Sequence, residues 1–590
     1  MNSPAGMSDR RAALVLIVSG ALGWWIGVSA RGGQVPVETA QVLAGIVVYP
    51  SQTPFFIYHV KIWTLLIQLS AVALKSGVPE HILSTLLSGL TAQVACQAIA
   101  LAMFVLSRSV WVSVWCLPAV LVSRAFDYGA VYPIAFYDTP HTYGSLGLSA
   151  AMLIVLLLAI GWWRSGALML GLLPAIHPSL GLWTTIAFAA TLVVAGRSEY
   201  RARLPALRWY FVGLLLTAVS LAVHLAGVPA LPYVAEPDKA RYLEYFVSVW
   251  DTHRQPVNPF GAGLILNVLA VVVSAAYLRL WPANLTPSAR LVLTFAAVLG
   301  LMSVLIAIVS HVPSAQVPAA LLIAMPSRML NVNTILFCPI VIGLLASERS
   351  AKALGLIAFL CFAAVVVEFR STGQVHVTDV RTGRLESFAV VVLVAFALML
   401  FKARGWFASA DADRSPRRGA TRLAGILLGL ACGHALLILT VQAVAYESLA
   451  ADSMRDYSND AVYAQISARP GLLLASPRNR LLQLRTRRPV LLDASGINGL
   501  PYALESAPLI ERVLRDAYGM EFFDPPADVN GLGMVPYVSG QAIWEKFPLQ
   551  RWQAIRREYG VTDVATPIDW SLQLPTVVAG SRVRLFTIPD

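Results

Sequence analysis

The feature that most limits what this chain can fold into is a near-continuous series of apolar runs from Ala12 to about Tyr446, too poor in charge for a water-facing surface. In the core of a bilayer every backbone N–H and C=O must find its partner within the protein, so spanning segments are helices or closed barrels. Roughly 20 apolar residues cross as a helix. Of the 590 residues, 57% are hydrophobic and only 13% charged, which leaves room for about a dozen passages. The expected fold is a polytopic α-helical membrane bundle of about 11 to 13 membrane helices, half helices and re-entrant pieces included.

The residues that interrupt the apolar runs fall into two sets. One is basic: Arg10 and Arg11, Arg164, Arg197 to Arg208, Arg349 with Lys352, and Lys402 to Arg422. The other mixes acids, His, Arg, Tyr and Pro: Glu38 with His59, Asp138 with His141, His177, Glu236 to Arg254, His311 to Arg328, and Glu368 to Glu386. Loops rich in Lys and Arg stay in the cytoplasm, so the first set marks the inside and the second the extracytoplasmic face. With helices alternating, the N-terminus is cytoplasmic and the segment after the last span lies outside. Ala12–Ala30 reads as an uncleaved anchor, because many spans follow it.

Two stretches break the alternation. Ile62–Leu74 is short of a span, and counting it as a crossing would put Arg197–Arg208 outside; it reads as an outer juxtamembrane helix. Between Arg164 and Arg197 the chain must go out and back with His177-Pro178 in the middle. Proline disfavours helical geometry in the residue before it, so two short helices meet at that dipeptide. The prolines around Ala319–Met325 suggest a second broken element ending at Arg328, and Ser123–Gly144 and Gly227–Pro259 read as outer loops.

From Tyr446 onward the composition becomes that of a soluble domain, so the division is a membrane domain, 1–445, and a C-terminal extracytoplasmic α/β domain, 446–590. Strand-length runs fall at Gly471–Ala475, Pro489–Leu492, Val561–Ala565 and Val583–Ile588. Helical periodicity covers Ser506–Tyr518 and Ile543–Tyr559, each followed by a glycine suited to a helix C-cap. No phosphate-loop or dinucleotide motif occurs. This segment holds 15 Lys and Arg against 16 Asp and Glu, a net −1, so the chain's +12 belongs to the membrane part and reflects orientation and lipid headgroups rather than nucleic acid. All five cysteines lie in apolar segments, with no pair at zinc-ligand spacing.

Several polar residues could carry chemistry. Glu38 follows the first span in a rigid, aromatic stretch and is a candidate general base; otherwise it is a solvated loop acid. Asp138 and His141 form a polar patch before a span, and also read as a turn with a helix start. His59 and His177 are substrate-binding candidates, His177 being equally suited to capping a broken helix. Asp251, His253 and Arg254, together with Arg328, place guanidiniums near the outer face, where they can hold a lipid phosphate or simply snorkel to headgroups. Trp544, Trp552 and Trp570 are possible sugar-stacking faces, the first two also being at core-like helical spacing.

An acid after the first span, the run Gly171-Leu-Leu-Pro-Ala-Ile-His-Pro-Ser-Leu-Gly-Leu-Trp183 at paired short helices, a late re-entrant element with Arg328 and a C-terminal α/β domain together resemble the GT-C superfamily of integral-membrane glycosyltransferases. The resemblance implies a bacterial inner-membrane enzyme. It would move a sugar from a polyprenyl-phosphate donor to the hydroxyl of a glycan, lipid or protein acceptor, with inversion and no cofactor. It puts Glu38 in the place of the catalytic base, with Asp127 or Asp138 open as the base instead, Asp138 in the place of a second acid, and Arg328 in that of a phosphate-binding arginine. The first loop lacks the paired acids common in the superfamily, which implies metal independence. A lipid or glycan transporter or flippase, and a non-catalytic surface-polysaccharide assembly factor, are the competing readings.

Overall fold

The structure, a computed structural model, describes residues 5–30, 34–125, 142–196, 204–251, 254, 256–372, 380–407, 416–449, 461–477, 479–493, 496–529, 531 and 533–590. Among these, eight helices are long and apolar enough to cross a membrane, nine if one sharply bent pair is a single span, and four shorter apolar helices accompany them. The chain is thus a polytopic helical membrane protein with a small sheet-containing unit at its C-terminal end.

The first nine helices are α1 (Ala5–Ala30), α2 (Val35–Leu43), α3 (Pro54–Lys61), α4 (Leu65–Lys75), α5 (Glu80–Ser107), α6 (Val112–Ala125), α7 (Thr142–Ala159), α8 (Trp163–Ile176) and α9 (Pro178–Ala195). Local chemistry sets several boundaries. Thr53 caps α3 by accepting from the Phe56 N–H at 3.2 Å, and Thr64 caps α4 through the Ile67 N–H at 3.2 Å. Between α8 and α9 the chain breaks at His177, whose extended backbone (φ −150°, ψ 101°) is the geometry that Pro178 demands.

Helices α1 and α5 pack antiparallel through small residues. Gly23 faces Ala92 and Cys96, and Gly27 faces Ser88 and Gly89; a methyl group at Gly27 would stand 2.4 Å from the Ser88 carbonyl oxygen. The end of α1 and the start of α5 therefore share one end of the bundle. Everything between them, α2 to α4 included, returns to the end it left, and the 102° bend between α3 and α4 belongs to a surface excursion.

The same logic sorts the charges. Gly343 packs on Met103 and Leu106 near Arg108, Lys402 pairs with Glu348 at 2.6 Å, and the Lys352 ammonium reaches the Trp406 carbonyl at 3.2 Å, so these basic residues gather at one end. Glu38, His59, His177, Asp251 and Arg328 gather at the other, against the C-terminal unit.

A second close crossing joins α8 to the helix Leu207–Gly227. A methyl group on Gly213 would lie 2.2 Å from the Leu168 carbonyl oxygen, and Thr217 bonds the Gly171 carbonyl at 2.8 Å. Gly213→Val is expected to destabilise the detergent-solubilised protein by about 1–3 kcal/mol, the usual cost of overpacking. Gly429→Val, where nothing lies within 4 Å of the added carbon, serves as the control. Thermal unfolding followed by tryptophan fluorescence measures both, and equal melting of the two variants contradicts the crossing.

In the C-terminal unit four strands, β1 (Leu472–Ala475), β2 (Val561–Pro567), β3 (Thr576–Ala579) and β4 (Val583–Thr587), form a sheet of order β1-β2-β4-β3. β1 and β2 run parallel, with Leu473 opposite Asp563, while β4 is antiparallel to both its neighbours. Gly519 and Gly560 end their helices at φ 69° and 72°, as expected of glycine caps.

Three local expectations change. Pro489–Leu492 is not a strand and makes a single bridge, Leu473 to Val490. Pro548, which has no N–H to continue a helix, divides Ile543–Tyr559 into helices Tyr537–Trp544 and Leu549–Tyr559. Trp570 is fully buried with Trp544 and Trp552, so none of the three presents a sugar-stacking face. The outer stretch Gly227–Pro259 also contains a helix, Glu236–Tyr245. Its continuation places Phe246 and Trp250 in the core of the C-terminal unit, where the Trp250 indole N–H bonds the Phe522 carbonyl at 3.0 Å.

Candidate functional site

A cavity of about 570 Å³ opens where the His177 break, the segment 319–329 and the C-terminal unit meet. His177 projects from the α8–α9 junction, and Gly147 on α7 leaves room for it: a methyl group there would lie 2.7 Å from the His177 Cβ. Arg328 comes from a tight turn beginning at Met325, whose left-handed backbone (φ 40°) reverses the chain after the helix Ala319–Ala324. Tyr502 ends a run of 3-10 turns, Gly496–Tyr502, in the C-terminal unit. Lys61, at the end of α3, completes a polar side of the cavity, while Ile62, Leu182, Ala320 and Ile323 line it with hydrocarbon.

The bonding fixes protonation states. Arg328 Nη1 stands 2.8 Å from His177 Nε2, and a guanidinium can only donate, so Nε2 carries the lone pair and His177 is neutral with its proton on Nδ1. The 3.4 Å approach of the Leu180 N–H to Nδ1 is then a contact between two donors, and Ser179 Oγ, also 3.4 Å away, is the acceptor Nδ1–H can use. Arg328 Nη2 donates to the Tyr502 hydroxyl at 3.0 Å, and Arg254 Nη2 donates to the same oxygen at 3.2 Å. Arg254 is anchored by an ion pair to the buried Asp251 and by a 3.0 Å bond to the Leu322 carbonyl. Burial acts most strongly on the Tyr502 phenol and pushes its pKa up, but the two guanidiniums together outweigh it and hold the pKa below the usual tyrosine value.

Of the residues singled out from the sequence, the structure thus brings His177, Arg328, Arg254 and Asp251 together. Glu38 and His59 lie elsewhere on the same end of the bundle and do not line this cavity. Glu38 is not in a loop but in the first turn of α2, where Pro36 sets the helix start; it is 2% exposed beneath residues 481–487. Its carboxylate accepts from the Leu484 N–H at 3.3 Å and its carbonyl from Gln483 Nε2 at 3.0 Å. His59 is fully buried, with Nδ1 3.0 Å from Thr39 Oγ1 and its ring 4.2 Å from Phe55. Asp138, His141, His253 and Asp127 lie outside the described residues.

Sequence reasoning missed Lys61, Tyr143 and Tyr502. Lys61 immediately precedes the Ile62–Leu74 run, and a cation at that position was a usable signal. Tyr502 had none, because its partners lie 174 and 248 residues away.

The C-terminal unit is fastened to the bundle around this site. Arg487 grips Glu80 with two bonds of 2.8 and 2.9 Å, Gln41 bridges Glu80 and the Leu484 carbonyl at 3.1 and 3.0 Å, and Lys61 pairs with Glu505 at 2.9 Å. The five-residue helix Leu482–Thr486 is bounded by two left-handed non-glycine residues, Leu481 (φ 56°) and Arg487 (φ 55°), a strained conformation that the surrounding contacts hold.

No protein-family model matches the chain, and no curated protein does. Among solved structures it is similar to ArnT from Cupriavidus metallidurans bound to undecaprenyl phosphate, with 15% identity and a TM-score of 0.43 over 100% of this chain and 99% of that one. It is likewise similar to ArnT from the same organism in the apo state, with 15% identity and a TM-score of 0.44 over 98% and 97% of the two chains. Likeness at that level leaves the activity to be read from the residues.

Proposed function

We propose that the chain is a GT-C-type membrane glycosyltransferase that takes a sugar from a polyprenyl-phosphate donor at the extracytoplasmic face. The observation that carries this reading is the make-up of the 570 Å³ cavity, with Lys61, Arg328, His177 and Tyr502 beside an apolar wall. A phosphate with a hydrocarbon tail matches both parts: the cations meet its charge and the wall takes its chain. The basic end of the bundle, away from this site, is the cytoplasmic end by the distribution of Lys and Arg.

In the proposed reaction a carboxylate removes the proton of the acceptor hydroxyl, whose oxygen attacks the anomeric carbon. The bond from that carbon to the donor phosphate breaks, the polyprenyl phosphate leaves, and the anomeric configuration inverts. Arg328 and Lys61 meet the charge that grows on the leaving phosphate, and neutral His177 keeps the Arg328 fork aimed without adding a competing negative charge. Glu38 is assigned as the base, with Asp138 the alternative; Glu38 lies outside the cavity beneath residues 481–487, so in that role the segment over it must move aside to admit the acceptor. Side-chain cations supply the charge stabilisation, so the reading calls for neither cofactor nor metal. The acceptor is a hydroxyl of a glycan, lipid or protein.

Binding of polyprenyl phosphate and of the free polyprenol to the purified protein in detergent tests the reading. The phosphate is expected to bind about a hundredfold tighter, a few kcal/mol being what charge-assisted hydrogen bonds supply. Arg328→Ala is expected to remove most of that difference. Equal affinity for phosphate and alcohol in the wild type would sink the proposal.

A further inference from the structure

At the end of the bundle away from the donor cavity, the helices Leu330–Ser347, Ala351–Thr372 and Val380–Ala403 meet in a corner. Between the first two the chain turns at Arg349, whose backbone is left-handed (φ 50°). The turn sends Glu348 inward to pair with Lys402 at 2.6 Å, both side chains nearly buried, and leaves Arg349 exposed. The acid of the corner is thereby committed to Lys402. On the outside, Lys352 and Arg404 share the ring of Trp406. The ammonium lies 5.8 Å from its centroid and the guanidinium carbon 5.7 Å, and Lys352 donates to the Trp406 carbonyl at 3.2 Å. Trp406 is itself 44% exposed.

These cations stand at the head of an apolar stripe. Lys352, Gly355, Phe359 and Phe362 recur at the spacing of one helix face, and all four are exposed. On the helix alongside, Leu393 and Phe396 are exposed as well. At 1.5 Å per residue Phe359 lies about 10 Å from Lys352, and Phe396 about 12 Å from Arg404, both within the roughly 15 Å of hydrocarbon in one leaflet. Between Lys352 and Phe359 the stripe is hollow, since a methyl group on Gly355 would meet nothing within 4 Å.

We propose that this corner binds one anionic phospholipid of the cytoplasmic leaflet, its phosphate held by Lys352 and Arg404 beside Trp406 and one acyl chain laid over Gly355 toward Phe359. Charge complementarity selects the headgroup: three exposed cations surround one indole, and the nearby acid is turned away. The hollow and the phenyl rings beneath it select a chain, which a soluble anion does not have. The side of the membrane follows from the distribution of Lys and Arg, and the proposal is independent of the donor reading.

Cations and aromatics at a membrane interface can also snorkel to headgroups at large, and that needs no hollow. Gly355→Leu separates the two. It leaves every cation in place, adds a side chain where the protein leaves room, and puts a better helix former in the middle of a helix, so the fold is expected to be at least as stable as in the wild type. A bound chain would lose its seat. Attraction by charge alone would not change.

The test is native mass spectrometry of the full-length protein released from detergent after titration with dioleoyl phosphatidylglycerol or with dioleoyl phosphatidylcholine, which has the same chains and no net charge. The wild type is expected to bind the first about 25-fold tighter, near fivefold for each of two cations. Lys352→Gln with Arg404→Gln is expected to bind the two lipids about equally. Arg164→Gln with Arg208→Gln, which removes two exposed cations from another helix pair, is expected to keep the preference. Gly355→Leu is expected to weaken phosphatidylglycerol binding about fivefold or more. Equal loss in the two double variants, or wild-type affinity in Gly355→Leu, would reduce the preference to a general charge effect and overturn the site. Competition by glycerophosphoglycerol, the headgroup without chains, at equal concentration would show a soluble-anion site and overturn the lipid assignment.

Discussion

A Glu38→Gln protein is expected to transfer sugar about 10²- to 10⁴-fold more slowly than the wild type, the usual contribution of a positioned general base, while melting at nearly the same temperature. The substitution keeps the shape of the side chain, and an amide oxygen can still accept the 3.3 Å bond from the Leu484 N–H, so the seat beneath residues 481–487 is preserved. What is lost is the ability to take a proton. An ionised carboxylate is an acceptor only, which suits that bond and is the form a base must have. Two readouts separate the roles the site allows. A slow enzyme with an intact melting transition identifies Glu38 as the base; a normal rate with a lowered transition identifies it as a structural latch. Asp138→Asn is the companion variant, and a large rate loss there with none at Glu38 moves the base to Asp138. Normal transfer by both variants would remove the carboxylate mechanism altogether.

Signals carried by one or two adjacent residues were legible in the sequence. The break at His177 follows from Pro178, the C-caps follow from Gly519 and Gly560, and the gathering of Lys352 and Lys402 at the end away from the site follows from the cost of moving basic clusters across a bilayer. The Arg328 element could be anticipated from its prolines. Features set by distant pairings were not legible. Tyr502 is defined by partners on two other segments, and the role of Lys61 depends on a cavity wall formed by α9 and the segment 319–328. The edge strand β3 was missed because its residues are exposed or half-buried and carry no clear alternation. Trp570 misled for the opposite reason: an aromatic near the chain's end gives no sign of whether its ring faces solvent or, as here, Trp544. Glu38 was placed in a loop because the short helix around it owes its stability to what it packs against, α4 and residues 481–484.

Asp563→Ala is expected to destabilise the C-terminal unit by about 3–5 kcal/mol, the cost of leaving a buried charge without its partner. Asp563, on the central strand β2, is fully buried. It receives Arg488 at 2.6 Å and Arg469 at 2.9 Å, and Arg488 is itself 3% exposed. Arg488 also donates to the carbonyls of Pro470 and Gly471 at 2.9 and 3.0 Å, fixing the chain just before β1. Its neighbour Arg487 holds Glu80 on the bundle, so the pair in the sheet and the contact with the membrane part are one residue apart. Loosening the first is therefore expected to loosen the second, and with it the segment over Glu38. Burial is the largest influence on Asp563 and pushes its pKa up, but the two arginines prevail and hold it below the usual aspartate value. The stabilisation is accordingly complete above the ordinary carboxylate range and is lost as pH falls through the lowered folded-state value. Unfolding of the detergent-solubilised protein between neutral and acid pH measures this: the wild type should lose stability in acid, and Asp563→Ala should start lower and lose less. Asp563→Leu combined with Arg488→Met, which removes both charges, is expected to recover much of the loss. A single Asp563→Ala variant as stable as the wild type would show that the sheet does not depend on this pair.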